Sequence, residues 1–285
     1  MPLTSPRPIS ELVRKRGSWR KYQDEELAPE LLEQIDEVLA SAPPGPFGHD
    51  VRLTLLQADP SERGVRKLGT YGVISGAAYF LAGAIEDGPF ALEDYGFVFE
   101  WVVLQLAGLG LQTCWLGGTF SKSDFGAALH VHRGELVPAV SPVGHAARRR
   151  STVDRVFRLA AGSKHRKPWS ELFFDGDLQR PLTEQQGGAW AEVLELVRLA
   201  PSASNKQPWR ILRDGERWHM LLQRTAGYRV RYVADLQRID MGIALCHFVL
   251  GAEEAGMSGR IEVLEPNLGE LPPHTSYVCS WVPHE

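Results

Sequence analysis

The sequence contains two stretches that match each other, and this internal repeat limits the folds open to the chain. Asp94-Tyr95-Gly96 aligns with Asp240-Met241-Gly242 at an offset of 146 residues, and five of the eighteen positions from 94 to 111 are then identical. About one identity is expected by chance from average residue usage. Upstream, Ala42-Pro43 aligns with Ala200-Pro201 at an offset of 158. The shared order of these matches predicts one structural unit built twice.

Apolar periodicity predicts a similar order of elements in each copy, with a helix, a strand and a long central helix. Pro29 opens the first helix, where a proline is tolerated, and the helix stops before Pro43. Residues 97–109 are apolar on nearly every side, which predicts a buried central helix. The other predicted elements are strands at 51–57, 79–84 and 136–144, helices at 190–199 and 243–255, and strands at 209–212, 218–223, 260–264 and 277–282.

These elements divide the chain into three predicted parts. Residues 1–145 form the first copy, and residues 181–285 form the second. Between them, residues 146–180 form a connector that is rich in positive charge and carries an amphipathic helix predicted at 153–160. A long basic connector of this kind is usually a solvated surface.

Composition and charge exclude several classes of protein. The net charge of −4 lacks the basic excess of a nucleic-acid binder. Three widely spaced cysteines without a CxxC pair predict buried small hydrophobes in a cytoplasmic protein, with neither a disulfide framework nor a zinc site. Residues 1–10 lack the apolar stretch of a signal peptide. The longest apolar window, 97–111, is interrupted by Glu100 and is shorter than the ~18 residues of a membrane span. We therefore expect no membrane partner, and we expect His247 to be a core histidine and not a metal ligand.

Two polar segments contrast with this apolar pattern, and they carry a family likeness. They are Arg16-Gly17-Ser18-Trp19-Arg20 and Pro201-Ser202-Ala203-Ser204-Asn205-Lys206-Gln207-Pro208-Trp209. Together they resemble the FMN-dependent nitroreductase family, in which an Arg-x-Ser-x-Arg segment of one subunit and a Pro-Ser-x-x-Asn-x-Gln-Pro-Trp loop of its partner hold one flavin. Trp115-Leu116-Gly117-Gly118 is similar to the segment beneath the flavin ring, and Lys164-x-Arg166-x-Pro168 is similar to the basic motif at the phosphate.

The resemblance covers residues 10–264 and is closest to a tandem branch, in which one chain folds like the usual homodimer. It implies an α+β fold, an α-β-α sandwich with mixed or antiparallel sheets and buried central helices. It also implies an oxidoreductase that binds FMN and passes hydride from NADPH or NADH, through flavin N5, to a small nitroaromatic, quinone or similar acceptor. The cofactor performs the chemistry in such enzymes, so no catalytic side chain is expected.

The resemblance also assigns a place to each polar residue. The planar fork of arginine suits a phosphate dianion, and a fixed cation near N1 and O2 of the ring raises its reduction potential. Glycine lets the backbone approach a ligand closely. The implied cofactor-binding residues are Arg16, Ser18, Lys164 and Arg166 at the phosphate, Arg20 at the N1–O2 edge, Gly117 and Gly118 at N5, and Pro201, Ser202, Ala203 and Asn205 along the ring from the second copy.

The two copies do not keep the same polar residues. At the 158-residue offset, the positions of Arg16, Ser18 and Arg20 correspond to Phe174, Gly176 and Leu178, so the basic set is absent from the second copy. The loop 202–209 corresponds to 44–51, which reads Pro-Gly-Pro-Phe-Gly-His-Asp-Val and lacks the Ser/Asn/Gln set. Each copy therefore supplies one half of a site, which predicts one flavin per chain and a self-sufficient monomer.

Two further functions stay open from the sequence. One is a flavin-binding protein without turnover, which would act as a carrier or sensor. The other is a degenerate pseudo-dimer that binds nothing and serves as a scaffold. The sequence does not distinguish NADH from NADPH, nor does it name the physiological acceptor.

Overall fold

The computed structural model describes residues 7–58, 69–148, 165–228 and 234–284. Within these ranges, helices and mostly antiparallel strands confirm the predicted α+β class. The helices are α1 (Ile9–Lys15), α2 (Pro29–Ala40), α3 (Ala91–Gly108), α4 (Lys122–Ala128), α5 (Trp169–Leu172), α6 (Glu184–Gly187), α7 (Ala191–Leu199) and α8 (Leu236–Glu254). The strands are β1 (Arg52–Gln57), β2 (Tyr79–Glu86), β3 (Gln112–Thr113), β4 (Glu135–Leu136), β5 (Val140–Gly144), β6 (Phe173–Asp175), β7 (Asp177–Pro181), β8 (Trp209–Asp214), β9 (Arg217–Gln223), β10 (Gly259–Glu262) and β11 (Thr275–Pro283).

The described strands form two sheets. The first has the order β1-β2-β5-β3, with β4 beside β2, and all its neighbours are antiparallel. The second has the order β10-β11-β9-β8-β6-β7 and is mixed, because β6 runs parallel to β8. Strand β6 and all but the last residue of β7 lie within the predicted connector 146–180, so the second sheet begins before residue 181. The helix predicted at 153–160 lies outside the described residues.

One predicted strand is interrupted. The segment 136–144 contains the end of β4 and all of β5, with Pro138 between them. Both strands pair with β2, at its two ends. A proline cannot donate a hydrogen bond to a neighbouring strand, and it is therefore rare inside a continuous ladder. The other predicted strands are observed within a few residues of their expected bounds, whereas the two central helices end close to the predicted residue but begin well before the predicted start.

Helices α3 and α8 are the predicted central helices, and both are buried. They pack directly against each other at two glycines. A Cβ atom added at Gly96 would overlap the carbonyl oxygen of Ile239, and one added at Gly242 would overlap the carbonyl oxygen of Glu93. The two contacts are equivalent in the repeat, because Gly96 corresponds to Gly242 and Glu93 corresponds to Ile239 at the 146-residue offset. The repeated Asp-x-Gly motif therefore lies at the closest approach of the two helices, where a side chain would push the backbones apart.

The cysteines behave as the sequence predicts. Cys114, Cys246 and Cys279 are all buried thiols outside any disulfide, and each packs within the apolar core. Burial of Cys279 strongly raises the pKa of its thiol, which keeps the group neutral. Among the described helices, none combines the length and the apolar character needed to cross a bilayer.

Candidate functional site

A cavity of about 470 Å³ lies between the segment that follows α1 and the loop that follows α7. This volume is within the range of small-molecule sites, roughly 300–1,000 Å³. All predicted cofactor-binding residues within the described ranges line it, whereas Lys164 lies outside those ranges. The lining residues that the sequence predicts are Arg16, Ser18, Arg20, Gly117, Gly118, Arg166, Pro201, Ser202, Ala203 and Asn205.

The first basic segment is held by strand β3. Ser18 forms a parallel bridge with Thr113, and the N–H of Trp19 donates to the carbonyl oxygen of Thr113 (3.0 Å). Alternate side chains of an extended segment share a face. This spacing explains why Arg16, Ser18 and Arg20 all line the cavity.

A buried carboxylate orients the first of these arginines. Glu100 is fully buried on α3, and its Oε1 lies 3.6 Å from Nε of Arg16. Its Oε2 accepts a hydrogen bond from the indole N–H of Trp115 (2.7 Å). Nε2 of His247, on α8, lies 3.0 Å from the same Oε1 atom. Glu100 therefore connects Arg16 to the contact between α3 and α8.

His247 is a core histidine with both ring nitrogens paired, as the sequence predicts. Its Nδ1 lies 2.9 Å from the carbonyl oxygen of Leu196, and that oxygen can only accept. Nδ1 therefore carries a proton. The contact between Nε2 and Glu100 also needs one proton, held by either partner. The apolar periodicity of α3 singles out Glu100 as an acid in a buried helix, but it does not indicate these partners.

The loop that follows α7 is locked in a strained conformation. Oδ1 of Asp240 accepts from the N–H of Ala203 (2.9 Å), and the hydroxyl of Ser202 accepts from the N–H of Gln207 (2.9 Å). Left-handed backbone is uncommon outside glycine, and such strain clusters at functional sites. Three residues of this loop adopt it, namely Ser204 (φ 49°), Asn205 (φ 55°) and Gln207 (φ 48°).

The loop that follows α7 also holds Arg166, another cation that lines the cavity. Arg166 donates to the side-chain oxygen of Asn205 and to the carbonyl oxygen of Leu199 (2.9 Å). Burial, together with the neighbouring charges of Arg16 and Arg198, lowers the pKa of Arg166 to about 10, although Glu195 acts in the opposite direction. Arg16 and Arg166 thus face one cavity at a distance where they repel each other, and Arg20 lines the same cavity. Such a pair favours an anionic ligand.

The glycine segment that follows β3 has a packing role that the sequence does not reveal. The N–H of Leu116 donates to the carbonyl oxygen of Val140 (2.8 Å), and the N–H of Val140 donates to the carbonyl oxygen of Leu116 (3.0 Å). A Cβ atom at Gly117 would come within 2.5 Å of the side chain of Leu236. Glycine therefore lets the start of α8 close over this wall of the cavity, and both Gly117 and Gly118 line it.

Helix α8 contributes a wall that sequence reasoning missed. Its lining residues are Leu236, Ile239, Asp240 and Ile243. Their spacing of three to four residues is that of one helix face. Periodicity alone predicts a buried face and does not separate contact with the core from contact with a ligand. The cavity is also lined by Val73 and Tyr228, which follow no motif in the sequence.

Solved structures resemble this fold. A "putative nitroreductase" from Thermotoga maritima aligns with 19% identity over 98% of this chain and 94% of its own, with a TM-score of 0.59. An "FMN-dependent Nitroreductase" from Clostridium difficile covers 49% of this chain and 88% of its own, with 19% identity and a TM-score of 0.41. A nitroreductase from Desulfitobacterium hafniense "with bound FMN" covers 50% and 92%, with 20% identity and a TM-score of 0.41. At this identity the first likeness establishes the fold alone.

The sequence itself also matches a known family. No curated protein matched the chain. The model of a family described as "Putative TM nitroreductase" matches residues 8–252, a span that includes both polar segments, all of α3 and all but the last two residues of α8. This span is most of the 285-residue sequence. The chain therefore belongs to this nitroreductase family.

Proposed function

We propose that this protein is an FMN-dependent oxidoreductase that transfers hydride from NADPH or NADH to a small nitroaromatic, quinone or similar acceptor. The observation that carries this proposal is the cavity. Residues from both polar segments line it, although they are far apart in the sequence. The cytoplasmic location expected from the cysteine pattern stays a prediction.

The residues of the cavity fit the chemistry of FMN. A phosphate dianion would relieve the repulsion between Arg16 and Arg166, and Ser18 adds a hydroxyl beside them. Glu100 holds Arg16 from behind, so that this arginine is oriented before the ligand arrives. The side chain of Asn205 is already engaged by Arg166, so we assign it to positioning that arginine and not to the ring.

The remaining lining residues suit the flavin ring. When bound, FMN would supply hydride transfer at N5, and the protein would orient it and tune its charge. Arg20 would place a cation at the N1–O2 edge. Gly118 offers a backbone N–H, and the hydroxyl of Ser202, whose oxygen accepts from Gln207, donates to no residue that the structure describes. Pro201 and Ala203 complete the wall contributed by the second copy.

We also propose that the two copies form an internal pseudo-dimer with one flavin site. The reciprocal contacts of Gly96 and Gly242 support this arrangement. So do the two repeated acids, because Asp94 accepts from the loop that follows α2 and Asp240 accepts from the loop that follows α7. With both copies in one chain, a monomer would hold the complete site. The predicted parts 1–145, 146–180 and 181–285 remain the proposed organisation.

Reduction of the bound flavin tests the function. The purified protein is loaded with FMN, and NADH or NADPH is added under argon while the visible absorbance is followed. We expect the yellow colour to bleach with at least one of the two, and to return when a quinone is added. A protein that stays yellow with both would be a flavin carrier or sensor. A protein that takes up no FMN would be a scaffold, and either result would contradict the proposal.

A further inference from the structure

Asp240 is a buried acid on the wall of the cavity with one oxygen unused. The residue is 2% exposed and lines the cavity from α8. Its Oδ1 accepts from the N–H of Ala203, whereas Oδ2 is buried and receives no hydrogen bond from any residue the structure describes. A buried polar atom without a partner costs about 1–3 kcal/mol, so native structures rarely leave one. Because Asp240 lines the cavity, a group bound there is positioned to supply this partner.

The corresponding acid in the first copy has all its partners. Asp94 accepts through Oδ1 from the N–H of Phe47 and through Oδ2 from the N–H of His49, both at 2.9 Å. The ring of His49 adds a further contact to Oδ2. Gln207 occupies the position of His49 at the 158-residue offset, but its N–H donates to Ser202 instead. The same acid thus holds a loop in both copies, but within the described ranges it is Asp240, beside the cavity, that has an oxygen without a hydrogen bond.

The surroundings of Asp240 favour its protonated form. Burial raises the pKa of this carboxyl well above its usual value, the N–H of Ala203 lowers it, and the nearby charge of Asp235 raises it. The other charged neighbour on this turn, Arg238, is paired with Glu93 (2.6 Å). The titratable groups across the cavity are Arg16, Arg20, Cys114, Arg166 and Tyr228.

We propose that Asp240 keeps a proton on Oδ2 and donates it in a hydrogen bond to an uncharged oxygen or nitrogen of the flavin bound in this cavity. This inference rests on the proposed function. The proton stays on Asp240 throughout, so that the residue positions the ligand and does not react. Ionisation of the carboxyl would remove the donor and place an anion against the ligand, so the cavity binds its ligand best when Asp240 is neutral.

The affinity for FMN should therefore fall as the pH rises. Binding to the protonated form raises the pKa of Asp240 in the complex, so the Kd increases by up to about tenfold per pH unit above the pKa of the free protein. The phosphate of FMN is already ionised above about pH 7. Fluorescence quenching of FMN between about pH 7 and about pH 9 measures this increase without any turnover.

Asp240→Asn separates the hydrogen bond from the charge. Its carbonyl oxygen keeps accepting from Ala203, and its amide puts an N–H where the acid has an O–H. We expect the Kd at pH 7 to stay within about threefold of the wild type, and the increase with pH to disappear. Asp94→Asn makes the same change away from the cavity and should keep the wild-type pH profile. If Asp94→Asn does not fold, the comparison of Asp240→Asn with the wild type still stands.

Three results would overturn the inference. The first is an Asp240→Asn variant that keeps the wild-type pH profile, and the second is one whose Kd at pH 7 rises more than tenfold, since a charged acceptor would then be needed. The third is measured on the free protein. There we expect the infrared band of a protonated carboxyl in the wild type and its loss in Asp240→Asn. Its absence from the wild type would exclude the protonated acid whether or not FMN binds. A wild type with that band but no affinity for FMN would contradict the proposed function instead.

Discussion

Replacement of Glu100 by leucine is expected to destabilise the protein by about 3–5 kcal/mol, the usual cost of removing one partner from a buried ion pair. Glu100 is fully buried, and the change removes the carboxyl group that contacts Arg16, the indole N–H of Trp115 and Nε2 of His247. The free energy of unfolding, measured by urea titration of wild type and variant, checks this expectation.

A matched control separates burial from the loss of an acid. Glu33 is exposed on α2, and Glu33→Leu makes the same chemical change there. Surface substitutions of this kind usually change stability by less than about 0.5 kcal/mol. A Glu100→Leu variant whose unfolding midpoint matched that of Glu33→Leu would show that the buried contacts contribute no net stability.

Replacement of Gly242 by alanine should have the second large effect. The new Cβ would overlap the carbonyl oxygen of Glu93 and lie 2.8 Å from the backbone nitrogen of Phe97. Overpacking of a core costs about 1–3 kcal/mol, and more when no flexible side chain can yield. We expect a loss of about 3 kcal/mol, which corresponds to a fall in Tm of roughly 6–12 °C. Scanning calorimetry measures it.

The same substitution on another helix should have the opposite sign. Gly126 lies on α4, and a Cβ added there meets no atom within 4 Å. Alanine should stabilise this position by about 0.4–1 kcal/mol, because it restricts the unfolded chain. If Gly242→Ala proved as stable as Gly126→Ala, the close contact of α3 and α8 would be contradicted.

The sequence predicts the central helices well, since their burial leaves a strong local pattern. Residues 97–109 and 243–255 are apolar enough to mark α3 and α8, although both helices begin earlier than predicted. The start of the second sheet escaped prediction for the opposite reason. Strand β6 has only three residues and pairs in parallel with β8, a contact between distant segments that periodicity does not report.

The candidate site likewise contains residues that the sequence predicts and residues that it does not. Arg16 and Ser202 were expected at one site because each belongs to a recognisable motif, and they do line one cavity. The sequence identifies Asp240 only as part of the repeated Asp-x-Gly motif. An acid within an apolar helix produces the same sequence pattern whether its side chain holds a loop or contacts a ligand. Only the tertiary structure shows that Asp94 has a full set of partners and Asp240 does not.

The number of flavins bound by each chain tests most directly whether the two halves build one shared site. Purified protein is titrated with FMN, and the end point is compared with the protein concentration. The arrangement of Arg16 and Arg166 with the loop of Ser202 predicts one equivalent of FMN per chain. Two equivalents would mean that each half binds a flavin by itself. A half equivalent would mean that two chains share a site, and none would mean that the cavity is not a flavin site.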